Sequence, residues 1–293
     1  MIEKVKENFP ILEILLVAYN AEKTIKESIN SVFNQTYLDW YLTIINDGSE
    51  DETSKIISKL VSESGFERKI KYFNFNENLG LSKRLSDFKP NLNTLFIARL
   101  DADDIWLPHK LHYQLSAFFK DPKLIVLGSS AITQKDNNKF KMGKIKCYEN
   151  TLINKYLLPF KNTFVHSSLI FKKSVFNKVN GYSEEYKYAQ DYQLLLKLKP
   201  YGGMRSLREP LVIISQSNNQ ISSKFNIEQT KCVLMAQSEL KYPKIHQRIS
   251  SILNNNAKPK RIRFLNLIIF SPYFFYYTFN FMISYFFKKN KVS

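Results

Sequence analysis

Cysteine is almost missing from this chain: Cys147 and Cys232 are the only two in 293 residues. They stand far apart and outside any metal-ligand spacing, which argues against a disulfide framework and a zinc site and fits a reducing compartment. Glycine is scarce as well, with eight residues. None follows the first apolar run, Leu12 to Ala18, so the Gly-rich dinucleotide fingerprint and the phosphate-cradling P-loop are both absent. Any phosphate bound here has to be held by a metal and by side chains. Acidic residues are the minority charge, 26 against 43 Lys and Arg, for a net charge of +17. Such an excess marks proteins that meet nucleic acid and equally those that sit on anionic membranes. The amino terminus, MIEKVKENFP, lacks the apolar centre of a signal peptide, and the strand after it carries Glu13 and is too short to span a bilayer. A cytoplasmic setting is expected. No internal repeat or low-complexity linker divides the chain, which is long enough for one sizeable α/β core plus a modest extension.

The run LFIARLDADDIWLPHKL, Leu95 to Leu111, carries the most chemistry. An apolar strand ends in Asp101, Asp103 and Asp104, and strands of an α/β sheet aim their carboxyl ends at the ligand crevice. Mg²⁺ or Mn²⁺ suits such a site, since these ions take oxygen ligands and are usually completed by waters and substrate phosphates. A calcium-binding EF-hand reading fails, because Trp106 stands where the tight turn needs Gly and His112 where it needs Glu. A phosphatase-type nucleophile at Asp101 and a plain solvated turn stay open on this stretch alone.

A second acid occupies an equivalent place. WYLTIINDGSEDET runs through an apolar strand from Trp40 into Asp47, Gly48 and Ser49, and Asp51 then opens a helical run from Glu52 to Leu60. Before it, Leu12 to Ala18 leads into Tyr19 and Asn20 and a helix with Ile25, Ile29 and Phe33 at the spacing of a buried face. Strands at Lys69 to Phe75, Thr94 to Leu100 and Leu124 to Leu127 alternate with helices from Leu81 and after Pro108. This alternation predicts an α/β fold with a mostly parallel central sheet flanked by helices.

Five runs then occur in a specific order: ILLVAYNAEKTIKESINSVFNQTY, IINDGSEDET, NENLGLSKRL, ARLDADDIWLPHKL and NGYSEEYKYAQDYQLLLKL. In order and spacing they resemble family 2 glycosyltransferases of the nucleotide-diphospho-sugar transferase (GT-A) fold, in the bacterial branch that builds surface polysaccharide or lipopolysaccharide. The likeness covers roughly residues 10 to 223. It implies that Asp47 hydrogen-bonds the uracil ring of a UDP-sugar, with Ala18, Tyr19 and Asn20 beside the nucleotide. Asp101 and Asp103 match the Asp-x-Asp motif: Asp103 coordinates Mn²⁺ or Mg²⁺ on the diphosphate, and Asp101, with Ala102, faces the ribose and sugar. Asp191 matches the catalytic base, and Lys83 and Arg84 fall where basic residues approach the diphosphate.

These roles agree with the chemistry of sugar transfer. A leaving diphosphate needs its developing charge neutralised, which a cation does. An acceptor hydroxyl needs a general base, which a carboxylate supplies. Asp191, flanked by Gln190 and Tyr192, stands apart from other acids, and a single base with direct displacement inverts the anomeric centre. The structural alternative is that Asp191 caps the helix from Tyr192 to Leu198. The chain departs from the family at Ala18 (usually Pro), at Gln190 (often Glu), at His109 and Lys110 (an acid and Arg), and at Ser217 (often His).

Other polar residues carry weaker signals. His109 and His112 could face one way as metal ligands, although such pairs more often form a solvated helix face. His166 could line the acceptor site or be a hydrogen-bonded structural residue, and Trp106 could wall the sugar pocket or sit in the core. Near the carboxyl terminus, Lys258, Lys260, Arg261 and Arg263 precede an uncharged aromatic-rich run from Phe264 to Phe287, closed by Lys288, Lys289 and Lys291. Pro272, Asn266, Asn280 and several Tyr argue for helices lying in the membrane interface rather than one span.

The expected organisation is a catalytic domain over 1–223, a helical connector over 224–257 and a membrane-associating segment over 258–293. The expected protein is an inverting, Mn²⁺- or Mg²⁺-dependent glycosyltransferase, peripheral on the inner face of the cell membrane. It takes sugar from a nucleotide-diphospho-sugar, UDP-linked, to a saccharide or lipid-linked saccharide, and nucleic acid is not an expected partner. The rival readings are a non-catalytic basic module on the same fold, binding membrane or nucleic acid, and a sugar nucleotidyltransferase. Retention of Asp47, Asp101, Asp103 and Asp191 together opposes the first, and the missing glycine loop opposes the second.

Overall fold

Leu12–Ala18 forms β1, and all seven of its residues are buried. Burial on both faces is what a central strand of a helix-covered parallel sheet requires. The computed structural model describes residues 11–90, 93–135, 143–145, 157–216 and 226–241. In chain order the elements are β1, α1 (Ile25–Phe33), β2 (Trp40–Asp47), α2 (Thr53–Glu63), β3 (Ile70–Phe75), α3 (Leu81–Asp87), β4 (Phe96–Asp101), β5 (Ile105–Trp106), α4 (Lys110–Lys120), β6 (Leu124–Lys135), β7 (Gly143–Ile145), β8 (Ile170–Lys172), α5 (Lys173–Lys178), α6 (Gln190–Leu198), β9 (Gly203–Gln216) and α7 (Asn226–Lys241).

One nine-stranded sheet runs in the order β3-β2-β1-β4-β8-β6-β9-β5, with β7 paired to β6. The stretch β3-β2-β1-β4 is parallel throughout, as the strand–helix alternation predicts. Beyond β4 the sheet turns mixed: β8 runs antiparallel to both β4 and β6, β9 is parallel to β6, and β5 is antiparallel to β9. Sequence-adjacent alternation could not disclose that half, because its partners come together over long chain separations.

Two cores sandwich the sheet. Leu12, Ile14 and Leu16 face α1, α2 and α4 through Ile25, Ile29, Val32, Ile57, Leu111 and Leu115. Leu15 and Val17 face the opposite core with α3, α6 and α7 through Leu85, Leu194, Leu195, Leu234 and Met235. No side chain caps α1. Its place rests on burial, worth about 1.5–3 kcal/mol for each fully buried aliphatic side chain. Phe33, at the end of the expected apolar face, is only partly buried and stacks on Trp40 at 6.3 Å between ring centroids.

Helix α7 falls inside the span expected to be a connector, and it packs its Cys232–Ala236 stretch into the same core as α6. Among the described residues no helix is long and apolar enough to cross a membrane. The basic and aromatic segment 258–293, with 264–287 inside it, lies outside the described residues, as does Ser217.

Candidate active site

The acidic strand end is held from below by α1. Ser28 Oγ donates to the carbonyls of Ala102 (2.9 Å) and Asp104 (2.7 Å). Ser31 Oγ accepts the Trp106 N–H at 3.1 Å, and Gln35 both donates to the Leu107 carbonyl and accepts the Leu111 N–H. Ser28 and Ser31 form a polar stripe beside the apolar face of the helix, and Gln35 extends it two residues past the helix end. Their bonds satisfy backbone groups that the loop could not pair within itself.

Within that loop, Asp101 is tied down on several sides. Its carboxylate pairs with Arg99, accepts the Ser167 hydroxyl at 2.8 Å and lies 3.6 Å from His166 Nδ1. Burial works to raise its pKa, but Arg99, His166 and Ser167 outweigh it and hold the carboxyl below the ordinary range. Asp103 makes no such ion pair among the described residues, and Arg99 offsets its shift only in part. Burial, then the charge of Asp101, pushes its pKa up to about 6. Asp104, whose carboxylate accepts the Ser215 N–H at 3.2 Å, is pushed well above the usual value by burial and by both neighbouring acids. Arg99 pairs with Asp101, so ionising Asp103 and Asp104 as well would leave an excess of negative charge at the strand end.

A divalent cation would relieve that excess. Among the described residues no three His, Cys, Asp or Glu side chains converge as a ready-made metal cage. Mg²⁺ and its relatives do not need one, since one or two carboxylates suffice when substrate phosphates and waters complete the shell. The donor set fits an ion held by Asp103 and finished by substrate.

Asp191 lies in the first turn of α6, whose N-cap is Ala189 and whose start carries no side-chain cap. The capping role open to Asp191 is therefore not used. Its Oδ2 instead accepts Asn162 Nδ2 at 2.8 Å. Next to it, His166 Nε2 meets Tyr182 Oη at 3.0 Å. Burial lowers the pKa of His166 despite the opposing charge of Asp101, and burial raises that of Tyr182. Both rings also feel the charge of Asp191, so His166 links the Asp101 end of the site to the Asp191 end. Below them, Tyr192 donates to the Leu158 carbonyl at 2.7 Å and accepts Gln237 of α7.

The residues expected around the donor sit at the ends of β1 and β2. Asp101 pairs in register with Val17, and Asn46 with Ala18, so Asp47 and Asp101 end strands on either side of β1. Two strand spacings and a two-residue offset along the strands put them roughly 12 Å apart. Ala18 is buried, Tyr19 is exposed, and Asn20 has a left-handed backbone with φ 46°. Asn20 is fixed by its N–H to Ser49 Oγ (3.0 Å) and by its Oδ1 accepting the Glu50 N–H (2.9 Å).

Asp47 is not open to solvent: its side chain is 2% exposed. It accepts the Leu79 and Gly80 N–H groups at 3.0 and 2.8 Å and pairs with Arg84 Nε. Arg84 also donates to the Glu77 carbonyl and lies 3.7 Å over the Phe75 ring. Gly48 makes this approach possible, since it has φ +68° and a Cβ there would come within 2.5 Å of the Glu77 backbone. Lys83 turns away, bound to Asp87 and Glu184 at 2.9 and 3.0 Å. Of the two basic residues, Arg84 is the one at Asp47.

The bland alternatives hold for two other candidates. His109, at the N-cap of α4, and His112, in its first turn, are exposed, and Trp106 is 2% exposed and donates to the Ser167 carbonyl at 2.8 Å. Sequence reasoning missed Arg99, Ser167, Asn162 and the partner of Asp47. Only Asn162 and Ser167 carried a signal, as polar residues in an apolar stretch near His166.

Sheet order and acidic strand end define a fold of the GT-A type. The family model "Glycosyl transferase family 2" matches residues 13–179. The chain belongs to that family and is a glycosyltransferase. A Haemophilus influenzae relative, described as an uncharacterized glycosyltransferase, is 30% identical over 235 residues, covering 77% of this chain and 71% of its own. An Escherichia coli relative, the UDP-Glc:alpha-D-GlcNAc-diphosphoundecaprenol beta-1,3-glucosyltransferase WfgD, is 30% identical over 189 residues, covering 64% of this chain and 69% of its own. Among solved structures, the mannosyltransferase PcManGT from Pyrobaculum calidifontis, in complex with GDP-Man and Mn²⁺, shares the fold with a TM-score of 0.58 at 14% identity, covering 90% of this chain and 75% of that one.

Proposed function

We propose that this chain transfers a sugar, with inversion, from a UDP-sugar to a hydroxyl of a saccharide carried on a lipid. The observation that carries the reading is the gathering of Asp101, Asp103 and Asp104 at the end of β4, where Arg99 pairs with Asp101 and Asp103, raised by burial and then by the charge of Asp101, is left for a cation. When bound, Mn²⁺ or Mg²⁺ stabilises negative charge developing on the diphosphate. Asp103 holds it, and Asp101, pinned by Arg99 and Ser167, faces the ribose and sugar with Ala102. Tyr19 and Asn20 flank the nucleotide. Asp47 reads the base either directly, through its buried carboxylate, or through the Arg84 and Leu79–Gly80 backbone that it fixes.

Asp191 takes the proton of the acceptor hydroxyl as the new glycosidic bond forms and the bond from the anomeric carbon to diphosphate breaks. One base and one displacement give a product of opposite anomeric configuration. The lipid-linked acceptor draws support from the WfgD description. The net charge of +17 and the basic 258–263 stretch support a peripheral position on anionic membrane.

The test is a mass-spectrometric screen of the full chain against nucleotide sugars, with Mn²⁺, Mg²⁺ or EDTA. Turnover of a UDP-sugar that needs the metal is expected, and undiminished turnover in EDTA would sink the metal assignment. Asp191→Asn should bind donor as wild type does while transfer falls roughly 10²- to 10⁴-fold. An Asp191→Asn enzyme with normal turnover, or a product with retained configuration by NMR, would refute the base.

A further inference from the structure

We infer that Asn162 is the positioning residue for Asp191, a role that rests on the proposed reading of Asp191 as base. The Asn162 amide is oriented by its own second bond: Oδ1 accepts the Phe164 N–H at 3.0 Å, so the NH₂ group is the end that meets Asp191 Oδ2 at 2.8 Å. A neutral donor on an anionic oxygen favours the charged, proton-accepting form and stops the carboxylate from rotating. The amide holds Oδ2, and Oδ1 is the oxygen that receives the acceptor proton in this reading.

Placement supports the same role. Asn162 stands four residues before His166 on the segment that also supplies Ser167 to Asp101, so one stretch of chain sets both ends of the site. The titratable groups that sense Asp191 are His166, Tyr182 and Tyr192. None of them donates to its carboxylate in the described structure. A purely structural Asn162 would matter only through the turn that its Oδ1 closes with Phe164.

Asn162→Asp separates the two roles. It keeps an acceptor for the Phe164 N–H but replaces the donor with a carboxylate facing Asp191, and two carboxylates at that distance share a proton. The readout is UDP released from UDP-glucose, UDP-galactose and UDP-N-acetylglucosamine by the full chain with Mn²⁺, across pH 5 to 9. The acid limb of kcat for Asn162→Asp should move up by about one pH unit or more, with KM unchanged. Asn162→Ala should lower kcat roughly 10- to 100-fold, again with KM unchanged. The coupling is also read without turnover: the melting-temperature deficit of Asn162→Asp against wild type should widen from pH 5 to pH 8.

A deficit that stays constant with pH, or a kcat profile that superimposes on wild type, overturns the inference even if Asn162→Ala fails to fold. Asp191→Asn run in parallel distinguishes the failures. If it is inactive while Asn162→Asp keeps the wild-type profile, the positioning role alone falls. If Asp191→Asn stays active, the base assignment falls with it.

Discussion

Replacing Asp47 with Ala strands Arg84, whose side chain is 6% exposed, as an unpaired cation and removes the acceptor of the Leu79 and Gly80 N–H groups. Truncating one partner of a buried ion pair costs about 3–5 kcal/mol. For a chain of this size each kcal/mol lowers the melting temperature by roughly 2–4 °C, so a fall of roughly 6–20 °C is expected. Adding Arg84→Met removes the orphaned charge and should recover at least half of that fall, because a buried pair replaced by apolar groups is often close to neutral. Thermal unfolding followed by circular dichroism measures both variants, and calorimetry measures their affinity for UDP. A carboxylate that acts only as the uracil acceptor predicts another pattern: unchanged melting and UDP binding weaker by about 1.5–3 kcal/mol. Melting of Asp47→Ala within about 2 °C of wild type would refute the buried-pair reasoning.

Further outcomes follow from the same contacts. The Asp103 carboxyl is raised from 3.8 to about 6, so its contribution to stability is present below its unfolded value and is lost as pH rises through 6. A cation reverses that loss, and the gain in melting temperature on adding Mn²⁺ with UDP should be large at pH 7.5 and mostly gone at pH 5; equal gains at both would contradict the assignment. Lys110 Nζ is buried over the Trp106 ring at 3.8 Å with no hydrogen-bond partner among the described residues, and burial holds its pKa well below the usual lysine value. Lys110→Met should therefore stabilise the fold by about 1–3 kcal/mol in urea unfolding, whereas a loss of stability would mean that the amine is paired. Deleting 258–293 should free the protein from liposomes containing anionic lipid while UDP-sugar hydrolysis persists. If the full chain never sediments with such liposomes, the anchor reading fails.

Much of the fold was legible because its signals are local. The β1 run, the helix after it, the Asp47 turn and the strand into Asp101 each announce themselves within a dozen residues, and β1 and α3 begin at the residues the sequence marks. The mixed half of the sheet was not legible, since β8 meets β4 and β6 only after a long excursion of chain. The same limit governs the site. Three acids at a strand end are visible in one line of sequence. Their unequal fates, Asp101 held low and Asp103 and Asp104 pushed up, depend on Arg99 pointing along its own strand and on Ser167 arriving from 66 residues away. Arg84 was read toward the diphosphate, yet it is spent on Asp47, because the Gly48 turn lets the Glu77–Gly80 backbone close over that carboxylate.

The polar stripe on α1 makes the acidic motif a poor candidate for transplantation. Residues 101–111 hold their shape because Ser28, Ser31 and Gln35, more than seventy positions earlier, accept and donate where the loop cannot. A chimera that inherits the Asp-x-Asp segment without that helix receives the ligands but not their scaffold. Conversely, a recombination boundary placed between residues 35 and 101 separates two parts of one device, so functional hybrids should be recovered only when both sides come from the same parent.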